Sequence, residues 1–252
     1  MFAEERKKNI VEAINQDGSV KVGKLADVYG VTEATIRRDL QELEEKKMLQ
    51  RTHGGAVAMD STKYELTVLE RKDSYYQQKL QIGMKAAEMV EDGDSIIIDA
   101  GTTTLQMARH LNRKNITVVT NSMTIAAELE GKPEIELIMI GGMVRWSTHA
   151  FVGPLAEEML EKIRVDKVFL GTNGITLDDG LTTPNMLEAK IKQIMLAVST
   201  EKILLCDSSK FSRRSFSKIC KVQEIDMIIS DGMEVIRDQN KYKELGIKLS
   251  IV

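Results

Sequence analysis

The sequence predicts an α/β protein in two unequal parts: a short helical region, then a larger, mainly parallel sheet with helices on both faces. Three observations carry that expectation. Residues 1–57 hold three amphipathic stripes at helical spacing and no long apolar run. From residue 75 onward, short apolar runs alternate with amphipathic segments, the pattern of strands connected by helices. Hydrophobic residues make up 42% and charged residues 29% of 252 residues, enough apolar material for a core in each part.

Composition narrows the classes further. Aromatics are 4% and methionines number 14, so aliphatic and thioether side chains must fill the interior. No apolar run approaches the roughly 18 residues of a membrane span, so no membrane partner is expected. The start, MFAEERKKNI, is charged from its fourth residue and lacks a signal-peptide core, which predicts a cytoplasmic protein. Cys206 and Cys220 are then expected to be free, buried thiols. His53, His110 and His149 are far apart, and no Cys/His spacing suggests a metal; no cofactor is expected either.

The first helix is expected over Glu4 to Ile14, with Ile10, Val11 and Ile14 on one face. Gln16 to Val22, QDGSVKV, reads as a breaker. Val22, Leu25, Ala26 and Tyr29 follow at i, i+3, i+4, i+7, ending at Gly30. Thr32 is placed to cap a further helix that buries Ile36, Leu40 and Leu43. Two short helices across a glycine-containing turn form a helix-turn-helix. Met48 to Arg51 and Ala56 to Met59 are expected to pair as a hairpin, with His53-Gly54-Gly55 at or near its turn, making the unit winged.

The outward face of the third helix carries Thr35, Arg37, Arg38 and Gln41. Residues 1–57 contain ten Lys/Arg and ten Asp/Glu, so placement rather than net charge points to duplex DNA. In a helix-turn-helix the start of the second helix enters the major groove, where arginine can fork onto guanine or bind phosphate. The plain alternative is that Arg37 and Arg38 are solvated or pair with Asp39 and Glu42.

LADVYGVTEATIRRDLQELEEKKMLQRTHGGAV resembles the DNA-binding signature of the DeoR family of bacterial transcriptional repressors, including the TIRRDL core and the R-x-HGGA wing. Lys47 departs from it, standing where the family commonly has glycine. The resemblance implies operator binding with Thr32, Thr35, Arg37 and Arg38 near DNA and wing contacts from Arg51 and His53. One winged helix reads only a short half-site, so a dimer or higher homo-oligomer is expected.

Residues 58–74 have mixed charge and no sustained period, which predicts a linker between a DNA-binding domain, 1–57, and an α/β domain, 75–252. Within the latter, a helix from about Tyr75 to Val90 precedes strands at SIIID, ITVVT, IELIMI, DKVFLG, KILLC, DMIIS and IKLSIV, with helices between most of them. Several strands finish in polar or cationic residues. Asp99, Gly101 and three threonines, Thr102, Thr103 and Thr104, follow the first. Asn121 follows the second; Gly141 and Arg145 follow the third; Gly171, Thr172 and Asn173 the fourth; Asp207 and Lys210 the fifth. Ligands of open parallel sheets bind at such ends, and amides with threonine hydroxyls at a helix start suit phosphate. This rim fits a small anionic polyol.

DGDSIIIDAGTTT, VVTNS, GGMVR, FLGTNGIT and CDSSKF also resemble the DeoR-family effector domain, which is similar to sugar-phosphate isomerases such as ribose-5-phosphate isomerase. The resemblance implies a phosphorylated-sugar effector. Thr102, Thr103 and Thr104 would hold phosphate, and Asp99, Asn121, Arg145, Glu188, Lys192 and Lys210 would line the pocket. Lys190 lies close enough in sequence to Lys192 to leave open which of them points inward. An isomerase is the rival function, with Glu188 as a base. The loop resembling FLGTNGIT carries two aspartates in the isomerases; here those places hold Leu170 and Asn173, which cannot transfer protons as carboxylates do. A regulator, not an enzyme, with no catalytic residue, is therefore expected.

Overall fold

A computed structural model describes residues 2–17, 19–46, 48–52, 54–57 and 75–252. The expected linker at 58–74, His53 and Lys47 lie outside the described residues. The chain divides into two compact units, residues 1–64 and 65–252.

In the first unit, α1 (Ala3–Asp17), α2 (Val22–Tyr29) and α3 (Glu33–Glu45) pack their aliphatic stripes together. Ile10, Ile14, Leu25, Ile36, Leu40 and Leu43 meet in one core. Gly30 ends α2 in the left-handed region, φ 64°, where its amide bonds Ala26 O and turns the chain toward α3. The segment expected to be only a breaker contains a strand, β1 (Ser19–Lys21). It pairs antiparallel with β3 (Gly55–Val57), which also pairs with β2 (Gln50–Thr52), so the wing is a three-stranded sheet, not an isolated hairpin. A Cβ at Gly55 would lie 1.8 Å from Val20 O, so only glycine allows this approach.

The second unit begins with α4 (Tyr76–Glu88), then β4 (Ser95–Ile98), α5 (Thr102–His110), β5 (Ile116–Thr120), α6 (Met123–Leu129) and β6 (Ile135–Met139). A hairpin, β7 (Met143–Arg145) and β8 (Ala150–Val152), precedes α7 (Pro154–Glu161) and β9 (Val165–Gly171). After β10 (Gly174–Thr176) and β11 (Gly180–Thr183) come α8 (Met186–Ala197), β12 (Ser199–Leu205), β13 (Ser217–Cys220), β14 (Met227–Ser230), α9 (Met233–Glu244) and β15 (Lys248–Ile251). Seven strands form one parallel sheet in the order β15-β14-β12-β9-β4-β5-β6.

Alternation along each strand feeds two cores. Ile97, Val168, Leu170 and Leu204 face α7 and α8, whereas Ile96, Ile98, Phe169 and Ile203 face α4, α5 and α6. Burial on both faces is why these strands read as unbroken apolar runs. Two features were not expected from the sequence: the β7–β8 hairpin and a small antiparallel sheet, β10-β11-β13. From β4 the chain first builds outward through β5 and β6, then returns to lay β9 on β4's other side. The crevice beyond the carboxyl ends of β4 and β9 is the switch point where open α/β sheets bind ligands.

Candidate DNA-reading surface and ligand pocket

Thr32 caps α3, its hydroxyl accepting the Thr35 amide at 3.2 Å and lying 3.0 Å from the Thr35 hydroxyl. Arg37, Arg38 and Gln41 all point to solvent. Arg37 donates to Glu33 at 3.0 Å, Arg38 to Glu42 at 3.3 Å and Gln41 to Glu45 at 3.2 Å, each one helical turn away. Arg51, on the wing, lies opposite Glu44, whose carboxylate accepts the Arg51 amide at 2.9 Å. Arg37 and Arg51 line a common groove between α3 and the wing.

Asp39 does something else. It is buried and takes a two-pronged bond from Arg6 on α1, Nε at 2.6 Å and a terminal nitrogen at 3.2 Å. The aspartate that follows the arginine pair therefore fastens α3 to α1 and leaves both arginines outside.

In the second unit, the carboxyl end of β4 delivers Asp99, only 1% exposed. Lys192, on α8, donates to Asp99 and, at 3.0 Å, to the Gly171 carbonyl at the end of β9; the Gly171 amide bonds Asp99 at 2.9 Å. The switch point is thus laced by one buried ion pair. Burial raises the Asp99 carboxyl above its ordinary value despite Lys192. Lys192 is buried and Lys190 exposed, so Lys192 is the inward lysine.

Gly101 precedes α5 as its N-cap and has no side chain, so no side-chain cap claims the first amides of that helix. Thr102, Thr103 and Thr104 surround them, and the pocket is closed by Glu188, Lys192 and Lys210. Thr148, Thr172, Asn173 and Cys206 are also part of the lining. Glu188 is held by Arg145 at 3.0 Å, Thr148 at 2.5 Å and Thr183 at 3.3 Å.

Asp99 and Asn121 lie one layer beneath the lining. Asn121 accepts the Ala100 amide at 3.2 Å and donates to Phe151 O at 3.1 Å, supporting the loop. Arg145 reaches the site through Glu188, and Gly141 is not among the lining residues. Asp207 is fully buried; its Oδ2 makes no hydrogen bond and sits 3.9 Å from Lys210 Nζ. Burial would raise its carboxyl, but Lys210, the Ser209 bonds and Lys79 outweigh burial and hold it below the ordinary value. Burial keeps the Cys206 thiol far above its usual range, hence protonated. Thr148 escaped the sequence reading because its position depends on the β7–β8 hairpin. Among the described residues, no cluster of His, Cys, Asp and Glu could hold a metal, and no helix is long and apolar enough to cross a membrane.

Residues 6–62 match the model of the DeoR-like helix-turn-helix domain, and residues 74–232 match the DeoR C-terminal sensor domain. The chain belongs to the DeoR family. Members of this family are transcriptional regulators, and this one combines a DNA-binding unit with a sensor unit. The DeoR-family chain is 40% identical to the HTH-type transcriptional regulator GlpR of Haloferax volcanii over 98% of its length and 97% of the relative's. It is 34% identical to the lactose phosphotransferase system repressor of Staphylococcus epidermidis over 92% and 93%. A ribose 5-phosphate isomerase of Methanocaldococcus jannaschii is similar over 55% of each chain, at 19% identity and a TM-score of 0.40. In this DeoR-family chain, Leu170 is buried in the core and Asn173 accepts the Thr183 hydroxyl at 3.0 Å.

Proposed function

We propose that this regulator represses sugar-metabolism genes, gripping duplex operator DNA through α3 and the wing, with a grip that a phosphorylated sugar changes. The observation that carries the effector half is the pocket at the sheet's switch point. There the uncapped start of α5, with Thr102, Thr103 and Thr104, faces Lys192 and Lys210. Amides at a helix start and two ammonium groups favour a phosphate dianion, while Glu188 and Asn173 offer acceptors for sugar hydroxyls. Arg145 and Asn121 hold that frame in place from behind, alongside Asp99.

The DNA half rests on Thr32, Thr35, Arg37, Arg38, Gln41 and Arg51 sharing the outward side of α3 and the wing. We assign DNA binding to 1–57, linkage to 58–74 and effector sensing to 75–252, in a cytoplasmic protein that acts as a dimer or higher oligomer because one winged helix spans a single half-site. The lactose-system repressor among the relatives supports the link to sugar genes.

Thermal shift across a panel of pentose and hexose phosphates identifies the effector, because a ligand bound only by the folded state raises the melting point. Mobility shifts on the DNA upstream of the protein's own gene then test coupling. An effector bound with equal affinity by free and operator-bound protein would sink the mechanism, since such a ligand shifts no equilibrium.

A further inference from the structure

We propose that Lys7, on α1, is a positioning residue for operator binding: it holds the Glu42 carboxylate so that Arg38 can leave Glu42 for DNA. The inference rests on the reading above that Arg38 meets DNA.

Glu42 has two cations and gives each one oxygen. Lys7 Nζ lies 2.7 Å from Oε2, and Arg38 Nε lies 3.3 Å from Oε1. The two contacts differ in kind. Lys7 is 6% exposed, clamped against α3 from the neighbouring helix, and also bonds Glu4 at 2.5 Å. The Arg38 side chain is 82% exposed, and its bond to Glu42 is long and solvated. The weaker, wetter contact is the one that opens when a phosphate or a guanine edge competes for the guanidinium.

Opening it would strand a carboxylate one turn from Arg38, beside the DNA that Arg38 has just reached. A bare Glu42 would oppose binding twice, by retaining Arg38 and by repelling phosphate. Lys7, shared between Glu42 and Glu4, weakens both effects from its place on α1. The titration of Glu42 agrees with this ranking: its carboxyl sits below the ordinary value chiefly because of Lys7, with Arg38 the lesser cation. The adjacent basic residues Arg6 and Lys7 of α1 thereby divide their work. Arg6 fixes α3 through Asp39, and Lys7 neutralises Glu42.

The test uses the full chain and a labelled duplex selected by the wild-type protein from a random-sequence library, with anisotropy as the readout. Lys7→Met should weaken binding roughly three- to tenfold, the size of a near-surface like-charge effect. Glu42→Gln should bind at least as tightly as wild type. Lys7→Met combined with Glu42→Gln should return to the Glu42→Gln value. A purely structural Lys7 would leave the double variant as weak as Lys7→Met, which overturns the proposal. Weaker binding by Glu42→Gln alone also overturns it, and that arm does not depend on how Lys7→Met folds. Arg38→Ala distinguishes the two layers: wild-type binding there removes the Arg38 reading itself, whereas weak binding there with an uncoupled Lys7–Glu42 pair removes only this inference.

Discussion

The two units place their charges oppositely. On α3 the arginines lie outside, each loosely held by a glutamate one turn away: Arg37 by Glu33 and Arg38 by Glu42. At the sheet's switch point the charges are inside, Lys192 against Asp99, and Glu188 is boxed by Arg145, Thr148 and Thr183. Exposed pairs of the first kind contribute about 0–1 kcal/mol and break readily for a stronger anion. Buried pairs of the second kind are costly to leave half-made. A surface that must meet a long polyanion keeps its cations free to move. A pocket that must recognise one small molecule keeps its polar groups fixed before the ligand comes, which lowers the ordering cost of binding.

That contrast can be broken most forcefully at Lys192. Replacing it with methionine strands the Asp99 carboxylate, which is 1% exposed, and leaves the Gly171 carbonyl without its ammonium partner. Removing one member of a buried pair costs about 3–5 kcal/mol, or roughly 6–20 °C in melting temperature for a domain of this size. Calorimetry without any effector checks this. A drop of only a degree or two would place Lys192 among the loosely held charges and erase the distinction.

Next in size is Arg37→Ala with Arg38→Ala. Both side chains are exposed and outside the core, so the melting temperature should barely change. Operator affinity should fall about a hundredfold, and the slope of log affinity against log salt should shallow by up to about 2. The comparison inverts if the double variant unfolds, or if it binds DNA as wild type does.

Much of this was legible in the amino-acid order, for reasons that differ by region. SIIID and DKVFLG were readable as strands because burial on both faces leaves Ile96 to Ile98 and Val168 to Leu170 wholly apolar. The TIRRDL helix was readable because Ile36, Leu40 and Leu43 make one clean stripe. Ser19–Lys21 was not, since three residues with one apolar side chain show no period and their partner is more than 30 residues away. Helix α8 could not say which lysine turns inward, because Ala189, Ile191, Ile194, Met195 and Leu196 are buried nearly all around it and erase its phase. The Arg6–Asp39 clamp was missed for the opposite reason: polar letters on an amphipathic helix are assigned to water, and only the α1–α3 packing reveals the exception.

The smallest expected effect sharpens the buried side of the comparison. Asp207 is fully buried, and Lys210, the Ser209 bonds and Lys79 hold its carboxyl below the ordinary value against the opposing effect of burial. A carboxyl with a depressed folded-state value contributes stability above the unfolded value, near 3.9, and loses it as pH falls through the folded one. Wild type should therefore exceed Asp207→Asn in stability most clearly above about pH 5. The gap should narrow as the pH drops below the unfolded value, and denaturation midpoints at a series of pH values measure it. A gap that stays constant from neutral to acid would mean that the shape of Asp207 matters and its charge does not.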